Sequence, residues 1–82
     1  LEQVDQLMPV RLTSLRAQLR LQRRDIKRAM SLCLRAQKEL AGLEQEAGAD
    51  SLSSRILETL AETHLARGDS AAALNSYQTL LD

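Results

Sequence analysis

The sequence predicts an all-α chain, and three observations carry that prediction. Leu and Ala fill most apolar positions, Val occurs only at Val4 and Val10, and Ile only at Ile26 and Ile56. Leu, Ala, Arg, Gln and Glu are strong helix formers, whereas β-branched residues favour strands. The apolar residues recur at a period near 3.6 over four stretches separated by the few Gly and Pro residues, Pro9, Gly42, Gly48 and Gly68.

Leu1, Val4 and Leu7/Met8 form a first short stripe. Pro9 cannot donate a backbone bond and disfavours helix at Met8, so residues 1–8 read as the tail of an earlier helix. From Val10 the stripe resumes with Leu12, Leu15 and Leu19, flanked by Ala17 and Leu21, and should end near Arg23 and Arg24. Asp25 is placed to cap a second helix carrying Ile26, Ala29, Met30, Cys33, Ala36 or Gln37, Leu40 and Leu43. That helix is expected to reach Glu46, with Gly48 as its C-cap, because Gly42 weakens a helix by only about 1 kcal/mol relative to Ala. Ser51 or Ser53 can cap a third helix with the stripe Ile56, Leu57, Leu60, Ala61, His64 and Leu65. Gly68 then stops it, and Asp69 caps a fourth carrying Ala72, Ala73, Leu74, Tyr77, Leu80 and Leu81. Short turns between such helices favour antiparallel neighbours.

A shift of 44 residues lays residues 10–38 over residues 54–82. Ala17 meets Ala61, Arg24-Asp25 meets Gly68-Asp69, Ala29 meets Ala73, Met30 meets Leu74, Cys33 meets Tyr77 and Ala36 meets Leu80. Antiparallel helices that approach closely need a small residue on each at the crossing, and a short capped turn fixes the spacing between those two residues.

These residues resemble the tetratricopeptide repeat (TPR): a small residue midway along helix A, Gly-Asp at the turn, a small residue early in helix B and an aromatic four residues later. Leu57, Leu60, Ala61, His64, Gly68, Asp69, Ala73 and Tyr77 match that pattern. The earlier copy has Ala17, Asp25, Ala29 and Ala36 in place, with Arg24 for the turn glycine and Cys33 for the aromatic. The period exceeds the usual 34 residues, and the excess around residues 41–50, an extension of the second helix and its loop, looks like the long second helices of kinesin-light-chain-style repeats. The resemblance implies a single domain, with repeat 1 over about 10–46 and repeat 2 over about 51–82, folded as stacked antiparallel hairpins of a right-handed α-superhelix. It also implies a non-catalytic scaffold binding a partner peptide or helix and stacking on neighbouring repeats of a parent chain. By position, its groove would be lined by Arg11, Ser14, Gln18 and Gln22 and by Arg55, Glu58, Thr59 and Glu62. The Lys/Asn clamp of chaperone-binding members is absent from those positions.

Charge and chemistry favour interaction over catalysis. The formal net charge is zero, yet residues 1–40 carry +5 and residues 41–82 carry −5. The basic cluster Arg20, Arg23, Arg24, Lys27 and Arg28 spans the first turn. Its plain reading is a solvated turn with helix-dipole complementarity; its functional reading is a docking patch for an acidic partner. Nucleic-acid binding is disfavoured because aromatics are not interleaved with it. The lone His64 and the lone Cys33 both fall on packing stripes, and one of each is too few for a metal site. Glu58 and Glu62 form a like-charge pair at i, i+4, which reads as a solvated face, and the glycines are not clustered into a phosphate loop. No cofactor and no catalytic residue are expected. A single cysteine implies no internal disulfide, and no apolar run approaches the ~18 residues of a membrane span. The expected setting is a reducing intracellular one, cytoplasmic or nuclear, for a segment of a larger protein. A self-contained helical oligomerisation domain without a groove is the alternative.

Overall fold

The computed structural model describes residues 5–81. They form four helices: α1 (Met8–Gln22), α2 (Ile26–Leu40), α3 (Ala49–Ala66) and α4 (Ser70–Leu81). The two short turns close α1–α2 and α3–α4 into hairpins. The second hairpin packs on the first mainly through α3 against α2, with a smaller α1–α3 contact. Among the described residues α4 touches α3 alone, so the slab, 47 × 29 × 15 Å, has an open face on α1 and another on α4.

The two hairpin turns are the same device used twice. In the first, Asp25 N–H donates to the Arg20 carbonyl (2.9 Å) and Arg24 N–H to that of Leu21 (3.0 Å). In the second, Asp69 N–H donates to the His64 carbonyl (2.8 Å) and Gly68 N–H to that of Leu65 (3.0 Å). This is a Schellman closure, which needs a left-handed residue just past the helix. Gly68 supplies it at φ +86° and Arg24 at φ +64°. The following aspartates then cap: Asp25 accepts from Arg28 N–H at 3.4 Å, Asp69 from Ala72 N–H at 3.1 Å. The 44-residue register read from the sequence is thus reproduced bond for bond in the backbone.

The small residues are where that register needs them. Ala17, Ala29, Ala61 and Ala73 are each no more than 1% exposed. The core between hairpins joins Leu7 just before α1, Val10 of α1, Ala36 and Leu40 of α2, and Ala49, Leu52 and Ile56 of α3. A second cluster joins Ala17, Cys33 and Leu60, with Met30 and Leu32 against it. Buried threonines fit among these because their hydroxyls donate back to carbonyls one turn earlier: Thr13 to Pro9, Thr59 to Arg55 and Thr63 to Thr59.

Several sequence expectations are corrected. Residues 5–8 are not the tail of an earlier helix: Asp5 accepts from Leu7 N–H (2.9 Å) and Met8 N–H (3.1 Å), and α1 begins at Met8. Pro9 falls in the first turn, where its missing N–H costs nothing. Residues 1–4 lie outside the described residues. The α1 stripe Leu12, Leu15 and Leu19 is about half exposed, and the buried face is Leu7, Val10, Thr13, Ser14 and Ala17. Close approach of two helices to α1 selects the small side chains and turns the leucines outward. α2 does not reach Glu46: Ala41 leaves helical geometry at ψ 127°, and Gly42 turns at φ +93° with its N–H held by the Glu44 carboxylate at 2.8 Å. The added length of the repeat is therefore a loop over 41–48 rather than a longer helix. Gly48, at φ +89°, is the N-cap of α3 instead of the C-cap of α2, and neither Ser51 nor Ser53 caps.

Candidate interaction surfaces

Three surfaces can engage another molecule. The first runs along α1 and α3, which lie side by side. Gln18 Nε2 donates to Thr59 Oγ1 at 3.4 Å across them. Arg11, Gln18 and Gln22 on α1 and Arg55, Glu58 and Glu62 on α3 reach solvent on this side. Ser14 and Thr59, expected in the groove lining, are instead 2% and 3% exposed, inside the helix contact. Thr59 is satisfied by the Arg55 carbonyl (3.0 Å), whereas Ser14 Oγ is buried without a partner. Arg11 pairs with Asp5 at 3.5 Å and passes close to the start of α3, where its Nη2 would lie 3.2 Å from a Cβ added at Gly48. The resulting face is mixed in charge and rich in hydrogen-bond donors and acceptors.

The second is a cationic cleft of about 480 Å³ between α1 and α2, lined by Arg16, Leu19, Arg20, Arg23, Arg28, Ser31 and Leu32. Three members belong to the basic cluster expected from the sequence; Arg24 and Lys27, both exposed, do not line it. Arg20 and Arg28 share Asp25, at 3.7 and 3.6 Å. Arg16 and Arg23 have no ion pair among the described residues, so they carry the free charge of the cleft. Arg16, Arg20 and Arg23 stand at i, i+4 and i+7, a spacing visible in the sequence once the outward face of α1 is known.

The third is the apolar seam Met8, Leu12, Leu15 and Leu19 on α1, each about half exposed. Its spacing of 4, 3 and 4 residues is that of a coiled-coil edge.

The remaining chemistry-bearing side chains are packed. Cys33 is 1% exposed, and burial pushes its thiol above the ordinary range, against the opposing pull of the Thr63 hydroxyl hydrogen bond. A thiol held protonated is a poor nucleophile. His64 is half-buried, with Nδ1 shielded and unpartnered. Among the described residues no group of three or more His, Cys, Asp or Glu side chains could hold a metal, and no helix is long and apolar enough to cross a membrane. Compared with known proteins, the chain matches no family, no curated protein and no solved structure.

Proposed function

We propose that this chain is a non-catalytic, TPR-like protein-interaction scaffold that binds a peptide or helix of another protein along the α1–α3 face. The observation that supports this most is the alignment of the two first helices of the hairpins, tied at Gln18–Thr59, with half-buried Arg11 and exposed Gln22, Arg55, Glu58 and Glu62 along them. Rigid helices hold the backbone of these polar groups in a fixed pattern, so binding on this side orders side chains but not the chain. The twice-used turn and the buried alanines support the repeat reading, with hairpins as the unit.

The test uses the intact chain as immobilised bait, beside Gln18→Ala with Glu62→Lys on the proposed face and Leu34→Ser on α2. A partner retained by the wild type and by Leu34→Ser, and lost by the double variant with unchanged helical circular dichroism, supports the reading. Equal retention by all three removes it.

A further inference from the structure

We propose that the α1 seam is the docking site for a second copy of this chain, whose α4 face stacks on it head-to-tail. The proposal concerns the ends of the slab, not the polar α1–α3 face, and rests on the 44-residue register, the exposure of both ends and the charge of the two halves.

Carried through that register, Met8, Leu12, Leu15 and Leu19 correspond to Leu52, Ile56, Thr59 and Thr63. In the second hairpin those positions are buried, between 0% and 3% exposed. Leu52 and Ile56 pack on Ala36 and Leu40 of α2, and Thr59 and Thr63 continue the same buried row. The seam on α1 is therefore the surface that, one hairpin later, is covered by the second helix of the hairpin before it. At the other end the register maps Met30, Cys33 and Ala36 of α2 onto Leu74, Tyr77 and Leu80 of α4. There Leu74 is 57% exposed, and Leu81 beside it 87%, while Tyr77 and Leu80 are half-buried. Each molecule thus carries both halves of the contact it already makes internally, one on each end.

Charge decides which pairing of ends is favoured. Seam against seam would set two +5 halves together. Seam against α4 sets a +5 half on a −5 half, and α4 itself contributes no charged side chain to the contact. Such a contact is heterologous, and it continues into rings or filaments unless an end is blocked.

Two variants block one end each: Leu12→Glu with Leu15→Glu on the seam, and Leu74→Glu with Leu81→Glu on α4. All four side chains are about half exposed or more, so circular dichroism should stay helical; should glutamate lower it, glutamine at the same positions makes the same test. In sedimentation velocity the wild type should gain mass with concentration, and each variant alone should stay at the 9.1 kDa of one chain. An equimolar mixture of the two should stop at the dimer, because only one competent junction remains. A wild type that stays monomeric, a variant that still self-associates, or a mixture that stays monomeric overturns the proposal. Loss of the junction in high salt with the seam intact would accord with it, since the pairing of opposite halves is screened.

Discussion

At Arg24 the backbone adopts a left-handed conformation that Gly68 adopts at the matching turn. A side chain there costs roughly 1–2 kcal/mol, partly offset by the larger unfolded-state freedom of glycine. Arg24→Gly should therefore stabilise the fold by about 0.5–1 kcal/mol, raising the thermal midpoint by about 2–8 °C in calorimetry. It also removes one charge of the basic turn, and Arg24→Gln, which removes the charge but keeps the left-handed strain, separates the two effects. Asp69 makes a second residue-scale case. Its carboxyl is held below the usual range, first by the Ala72 N–H bond and then by Arg67 at 3.3 Å. A lowered folded value means that the cap's contribution is fully present above the unfolded value, about 3.9. That contribution is lost as pH falls through the lower folded value. Asp69→Asn keeps an acceptor but does not titrate. Its melting temperature should fall less than that of the wild type below pH 4; parallel curves would show that the cap is not responsible. The sequence made these turns legible because Asp after a left-handed residue is a local signal. It missed Gly48, whose place as N-cap of α3 depends on the left-handed turn of the preceding loop, and whose missing Cβ leaves room for Arg11 reaching from α1.

On the scale of the elements, helix pairs are set by how near their backbones come. Ala61 is fully buried on α3, and a larger side chain must push the hairpin apart. Ala61→Leu should destabilise by about 1–3 kcal/mol, read from the urea midpoint, while Leu65→Ala on the exposed side should cost far less. The existence of four helices was legible in the period of the apolar residues. The orientation of α1 was not, because that helix is apolar on two sides. Val10 and Ala17 make one, Leu12, Leu15 and Leu19 the other, and periodicity records both without ranking them. Hydrophobicity alone favours burying the leucines. Contact with both α2 and α3 reverses the choice, since the smaller side chains permit the closer packing.

For the molecule as a whole, stability rests on the seam between hairpins. Ile56 is 1% exposed there, among Leu52, Ala36 and Leu40. Ile56→Ala should cost about 2–5 kcal/mol, a large share of the total available to so short a chain. Loss of cooperative thermal unfolding is the expected readout; a variant that melts like the wild type would show that the hairpins stand independently. The same geometry leaves the molecule open at both ends. The separation of charge into a basic first half and an acidic second half is a property of the chain, but its alignment with those ends follows from the order in which the hairpins stack.

By itself the sequence determined the helices, the two capped turns and the 44-residue register, because caps, left-handed glycine and helical period act over a few neighbouring residues. The tertiary structure decided which face of α1 is buried, where α2 stops, that Ser14 and Thr59 lie inside a contact, and that Arg16 joins Arg23 in one cleft. Those outcomes depend on distances between segments far apart in the chain, and close packing, rather than local preference, sets them.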